Sequence, residues 1–197
     1  MIEKIKLPVP KQINLNIIEY LGHQNYWNFA FDLERKDSPS FSEIINSGPV
    51  NDSGFSNITY SFNNHMKGTK PDDYLNNFGN WVYYFCREKS KKYKIVRLER
   101  LYWNLYGRTS ECAFHIDVST EGNYASIVYN LHDNDGGTEI KKHGFYQSQE
   151  REAIIFPSNT LHRGVGPTKN KWRLSLNIVV KILKQQDLIQ MESHTST

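Results

Sequence analysis

Trp172-Arg173-Leu174-Ser175-Leu176-Asn177-Ile178 alternates residue by residue between apolar and polar side chains. Successive side chains of a β-strand point to opposite faces. Arg173, Ser175 and Asn177 therefore share one face, and Trp172, Leu174, Leu176 and Ile178 the other. The segment reads as a strand with an apolar back and a polar front. A guanidinium on that front can engage a carboxylate through two charge-assisted hydrogen bonds, and a serine hydroxyl two residues on can support the same group.

Three other segments have strand composition: Lys94 to Tyr106, Tyr124 to Leu131 and Glu152 to Phe156 are rich in β-branched and aromatic residues, mostly separated by turn residues. Asp135-Gly136-Gly137 is a strong turn signal, read here as a hairpin turn between two of these segments. Ahead of them, Tyr74, Leu75, Phe78, Trp81, Val82 and Phe85 follow helical spacing. Pro71 suits the first turn of that helix, and Asp72 and Asp73 suit its positive end. The aromatic face of this helix is expected to pack on a sheet. From Ile13 to Phe31 apolar residues recur irregularly, which suggests a strand and a short helix, and Lys36 to Gly68 reads as a long surface loop with short elements.

Just before the second strand lies His115-Ile116-Asp117, and just after the third lies His162. Alternate residues of an extended segment face the same way, so His115 and Asp117 can reach one metal ion. A histidine just past a strand end can return to a metal held by a neighbouring strand. Each element alone reads equally as an ordinary polar residue, and an arginine on a strand face as a salt-bridge partner. Two imidazoles and one carboxylate together can bind one face of Fe(II) and leave the other positions open.

Taken in order, these residues resemble the Fe(II)- and 2-oxoglutarate-dependent dioxygenases, particularly the small prolyl-4-hydroxylase-like members of bacteria and phages. The resemblance covers about residues 93 to 181 and rests on Leu101 to Tyr106, His115-Ile116-Asp117, Ile127 to Leu131, Gly136-Gly137-Thr138-Glu139, Phe156-Pro157-Ser158, His162 and Arg173-Leu174-Ser175. It implies a mainly β fold with flanking helices, a double-stranded β-helix or cupin-like jelly roll. His115, Asp117 and His162 would be the iron ligands, and Arg173, assisted by Ser175, would grip the distal carboxylate of 2-oxoglutarate. Tyr129 falls near a position where relatives place a tyrosine on the cosubstrate, and it reads equally as a core aromatic. Tyr102, Asn104 and Tyr106 share strand parity and are candidates to line the pocket, Tyr102 as a cosubstrate contact, or to pack. The connection from His162 to Arg173 is longer than in many relatives. The implied reaction consumes O2, converts 2-oxoglutarate to succinate and CO2, and hydroxylates a substrate C–H bond. Asp117 argues against a halogenase, which needs the carboxylate position vacated for halide.

Chain length allows one well-buried domain: residues 1–92 as an N-terminal helical and loop region, 93–181 as the jelly-roll core, and 182–197 as a tail. The hydrophobic share of 38% is enough to build a core, so two cysteines do not suggest a disulfide framework, and Cys86 and Cys112 are expected reduced. No apolar run is long enough for a signal peptide or a membrane span, which makes a cytoplasmic location the expectation. A net charge of +3 does not by itself imply a nucleic-acid or membrane partner. The basic stretch from Arg87 to Arg100 reads most simply as a solvated helix end leading into a strand. His132 and Asp135 lack a further ligand for a second metal, and Cys112 reads as a small buried side chain. The prime substrate stays open among peptides or proteins, small molecules and nucleobases. Two other readings stay open: a non-catalytic jelly-roll binding protein, and a cupin-like metalloenzyme that does not use 2-oxoglutarate.

Overall fold

The computed structural model describes residues 1–23, 28–29, 55–61, 73–110, 112–119 and 123–183. In chain order they form β1 (Glu3–Lys6), α1 (Lys11–Gly22), β2 (Asn28–Phe29), β3 (Phe55–Ser61), α2 (Asp73–Lys89), β4 (Ile95–Gly107), β5 (Tyr124–Asn130), β6 (Gly137–Ile140), β7 (Gly144–Gln147), β8 (Glu152–Pro157), β9 (His162–Val165) and β10 (Trp172–Ile182). The strands make two antiparallel sheets. The larger runs β1-β8-β5-β10-β4-β3-β2 and the smaller β7-β6-β9. This is the jelly roll that the sequence suggested.

The alternation of β10 decides how the sheets are used. Leu174, Leu176 and Ile178 point to the back of the large sheet, where they meet Trp103 and Leu105 of β4 and Tyr129 of β5. The two helices cover that face with Ile17 and Leu21 of α1 and Leu75, Phe78 and Val82 of α2. Phe78 stacks on Trp103 with ring centroids 6.0 Å apart. Each fully buried Leu, Ile or Val contributes about 1.5–3 kcal/mol relative to exposure, so the hydrophobic driving force lies on this side. Helix and sheet approach closely at Gly79, where an added Cβ would sit 1.9 Å from a Leu101 methyl carbon.

The front of the same sheet is different. Ser126, Asn130, Arg173, Ser175 and Asn177 are buried there. A smaller apolar cluster of Val128, Ile140, Ile154 and Phe156 joins this face to the small sheet. Polar residues survive burial only when hydrogen-bonded or held for a ligand, which marks the front as the functional side.

Several expectations change. The helix and strand expected between Ile13 and Phe31 are α1 and β2, and a further strand not expected, β1 at Glu3–Lys6, pairs with β8. The apolar patch from Phe55 is strand β3, paired with β4. Pro71 and Asp72, and most of Lys36 to Gly68, lie outside the described residues. Asp135-Gly136-Gly137 is not a hairpin turn. β5 and β8 do pair, but the chain between them leaves to form β6 and β7 of the other sheet. Asp135 instead fastens the long connection before β10: its carboxylate accepts hydrogen bonds from the backbone N–H groups of Thr168, Lys169 and Asn170 and from the Thr168 hydroxyl. Burial, the largest single cause, pushes its pKa upward, and the four bonds together outweigh it and hold it well below the usual carboxylate range. Cys86 and Cys112 are both buried free thiols. No helix among the described residues is long and apolar enough to cross a membrane.

Candidate metal centre and anion pocket

His115 and His162 are brought together by backbone pairing. The N–H of His115 donates to the carbonyl of His162 at 2.9 Å and the reverse bond is 3.0 Å. Directly opposed residues place their side chains on the same side, and the two rings lie 4.5 Å apart. Asp117, two residues from His115, is fixed by its N–H to the carbonyl of Ser158 at 2.9 Å. Donor atoms of His115, Asp117 and His162 all lie within 4.8 Å of one another. Among the described residues this is the one cluster of three such groups.

The protonation pattern suits a cation. His115 Nδ1 lies 3.1 Å from the carbonyl of Ala113, and His162 Nδ1 lies 2.9 Å from that of Thr160. A ring nitrogen facing a carbonyl must carry the proton, which leaves Nε2 of each ring as a lone-pair donor. Those Nε2 atoms sit 3.9 Å and 3.5 Å from the Asp117 oxygens. His162 Nε2 is buried with no hydrogen-bond partner. Burial lowers the His162 pKa and outweighs the opposing pull of Asp117, so the neutral, ligating form is favoured. An unpartnered buried lone pair, a second imidazole and a carboxylate converge on one point, and a divalent cation satisfies all three.

Asp117 is held from behind. Ser126 Oγ donates to Oδ2 at 2.5 Å, Tyr102 OH donates to Oδ1 at 3.1 Å, and Arg100 Nη2 lies 3.4 Å from Oδ1. Burial, and then the charge of Asp117, raise the Tyr102 pKa, so its hydroxyl remains a donor. Asn177 Nδ2 donates to the same Tyr102 oxygen at 3.2 Å. Tyr102, expected at the cosubstrate, instead donates to Asp117, the carboxylate of the candidate metal centre.

Deeper in the same cavity lies Arg173, only 1% exposed. Its Nε donates to Ser148 Oγ at 2.7 Å, one Nη donates to Thr138 Oγ1 at 3.0 Å, and the guanidinium sits 5.0 Å from the centre of the Tyr106 ring. Its Nη1 is buried without a partner. A buried guanidinium stays cationic, and here it keeps a donor aimed at no protein acceptor. Tyr106, His115, Thr138, His162, Arg173, Ser175 and others line this one cavity. Ser175 does share the face of Arg173, but its hydroxyl donates to Asn177 Oδ1 at 3.2 Å. Gly164 makes room for Tyr106, since a Cβ there would fall 2.2 Å from the phenol oxygen.

Tyr129 is a correction. Its neighbours of the same parity on β5, Ala125 and Ile127, belong to the helix-side core, and Tyr129 lies there too, against Phe78. Its hydroxyl donates to the buried Asn14 Oδ1 at 3.0 Å. Ser126 and Val128, one step out of phase, face the cavity. Tyr129→Phe is thus expected to lower stability by about 1–3 kcal/mol, the cost of an unmet buried acceptor. Calorimetric melting checks that loss. A changed 2-oxoglutarate affinity in this variant would return Tyr129 to the site. The residues for which sequence reasoning found no role are Ser126, Thr138 and Ser148: Thr138 lies in the Gly136-Gly137-Thr138-Glu139 stretch without a function read for it, and Ser126 and Ser148 are short polar side chains without a motif of their own. The even-numbered polar positions of β5 offered a signal for Ser126 alone.

No protein-family model matches the chain, and no curated protein matches it. Solved structures do. A viral collagen prolyl hydroxylase from Paramecium bursaria Chlorella virus-1, in complex with 2-oxoglutarate, superposes with a TM-score of 0.53 at 14% identity, covering 93% of this chain and 96% of that one. A Pseudomonas putida prolyl-4-hydroxylase gives 0.54 at 11% identity, covering 92% of each chain. HygX from Streptomyces hygroscopicus, with nickel and 2-oxoglutarate bound, gives 0.59 at 8% identity over 91% of this chain and 82% of that one. At such identities the likeness speaks for the fold: this chain is a double-stranded β-helix that resembles those of the 2-oxoglutarate- and Fe(II)-dependent oxygenases.

Proposed function

We propose that the chain is an Fe(II)- and 2-oxoglutarate-dependent dioxygenase that hydroxylates a substrate C–H bond. One observation carries this reading. One cavity is lined by His115 and His162, whose donors lie within 4.8 Å of that of Asp117, and also by Arg173, buried and with an unpartnered Nη1. A metal site alone would fit many proteins, but a buried cation in the same cavity calls for an anionic ligand reaching the metal. 2-Oxoglutarate meets both demands, with one carboxylate for Arg173 and a keto acid for the metal.

In this reading His115, Asp117 and His162 would hold Fe(II) through two imidazoles and one carboxylate. Bound iron and 2-oxoglutarate supply the oxidising chemistry, with 2-oxoglutarate leaving as succinate and CO2. Arg173 orients the distal carboxylate through the donor that the protein leaves unpaired, and Thr138 and Ser148 fix the guanidinium for that task. Tyr106 covers its face and excludes water. Ser126 and Tyr102 fix Asp117, so that it meets the metal in one orientation. Two of the structural neighbours are prolyl hydroxylases by name, which makes prolyl peptides the first substrates to try.

The test has two readings. Titration of 2-oxoglutarate into the anaerobic Fe(II) protein is expected to produce a weak visible charge-transfer band. Admission of O2 is then expected to yield succinate, stimulated by a substrate from peptide, nucleotide or metabolite pools. No band would point to a cupin-like metalloenzyme that does without 2-oxoglutarate. A band without succinate from any pool would point to a binding protein.

A further inference from the structure

Residues on the front of the large sheet lie in a fixed order along β10. Its register pairs Arg173 with Tyr106, Asn177 with Tyr102, Val179 with Arg100, and Lys181 with Arg97. On its other side Val179 faces Ser126 and Lys181 faces Tyr124. Arg173 and Tyr106 thus mark one end of the face. Asp117, bonded to Tyr102 and Ser126, marks the middle. Beyond it, on the side away from Arg173, stand Arg100 and Lys181. At about 3.3 Å per residue, the level of Arg100 is roughly 20 Å along the strand from that of Arg173.

Arg100 is placed as a recognition group. Its guanidinium sits 4.8 Å from the centre of the Tyr102 ring, which limits its freedom. One nitrogen lies 3.4 Å from Asp117, and its buried Nε has no hydrogen-bond partner. Its side chain is a third exposed, so it borders both the metal site and solvent. Asp117 already accepts from Ser126 and Tyr102, and a metal between the three donors would draw on the same carboxylate. The guanidinium of Arg100, on a side chain a third exposed, would then have donors to spare for an anion arriving from solvent. Arg97 nearby is bonded to Glu99 at 2.7 Å and so brings its own counter-charge. Lys181 is half-buried at the same end.

We propose that the prime substrate carries an anionic group, a carboxylate or a phosphate, that Arg100 binds at the mouth with help from Lys181. This deepens the dioxygenase reading and rests on it: the cosubstrate anion goes to the inner arginine and the substrate anion to the outer one. A metal held by His115, Asp117 and His162 would lie between the two arginines, so the substrate carbon to be oxidised would sit a short distance from its anionic group.

The probe is inorganic phosphate, titrated calorimetrically into anaerobic protein saturated with Mn(II) and 2-oxoglutarate, so that Arg173 is already engaged. Wild type is expected to bind phosphate, and Arg100→Gln to bind it about tenfold more weakly, the loss of a charge-assisted pair of hydrogen bonds. Arg100→Lys is expected to recover part of that loss, and Lys181→Gln to show a smaller one. Lys89→Gln, at the exposed end of α2, serves as the control and is expected to match wild type. Equal affinity in wild type and Arg100→Gln, or no phosphate binding by wild type, would overturn the proposal. Failure of wild type to bind 2-oxoglutarate, with Arg100-dependent phosphate binding intact, would instead sink the dioxygenase reading and leave the anion site standing.

Discussion

His115→Ala is expected to lose metal affinity by more than about 100-fold, and oxygen-dependent succinate formation with it. Removing a group that merely orients a ligand costs about 10–100-fold in affinity, and removing the ligand itself exceeds that. His115 is the cleanest of the three to remove. Its backbone bonds to His162 involve only main-chain atoms, and its side chain is a third exposed, so truncation leaves pairing and core intact. Asp117→Ala would also strand Ser126, Tyr102 and Arg100. Binding is read by calorimetry with Mn(II), and folding by thermal melting. A variant that melts normally and binds Mn(II) like wild type would remove His115 from the metal site.

Arg173→Leu is expected to weaken 2-oxoglutarate by about 2–5 kcal/mol, roughly 30-fold or more, while Mn(II) affinity is kept. The size follows from burial. At 1% exposure no water replaces the lost donor, and the cosubstrate carboxylate would enter a site without a counter-charge. Leucine keeps apolar volume against Tyr106 but leaves the buried Thr138 and Ser148 oxygens without the donor that Arg173 supplies, so folding of the variant is checked by thermal melting. Retained Mn(II) binding is the internal control, because Arg173 makes no contact with the three metal-binding side chains through its own hydrogen bonds. Unchanged 2-oxoglutarate affinity in a folded variant would reject the assignment and favour a metal site with some other ligand.

How far the site could be read in advance depended on the kind of signal. Strand parity is local, so Trp172 to Ile178 placed Arg173, Ser175 and Asn177 on one face without any structure, and β10 has that arrangement. The same rule applied to β5 would have placed Tyr129 with Ala125 and Ile127 at the back. Resemblance and residue type left Tyr129 open between cosubstrate and core, and parity decides for the core, since a one-residue offset in a strand moves a side chain to the opposite face. The short strands β6, β7 and β9 have four residues each, too few for alternation to stand out from loop sequence. The partners of Arg173 lie on or beside two of them, 35 and 25 residues earlier in the chain, and no motif links such distant positions. Asp135 carried a turn signal that was real in chemistry and wrong in geometry: a carboxylate good at accepting local N–H groups accepted those of residues 168–170 instead.

By itself the sequence determined the two-faced strands and the amphipathic helix behind them, because each depends on residue type and spacing within one segment; the candidate metal donors were legible only as an ordered set of separate motifs. The tertiary structure decided the rest. It alone brought His162 opposite His115, set Tyr106 rather than Tyr129 against Arg173, turned Tyr102 onto Asp117 and left Arg100 at the far side of the metal donors. Those outcomes depend on the register between strands far apart in the chain, and register is fixed by the packing of whole faces.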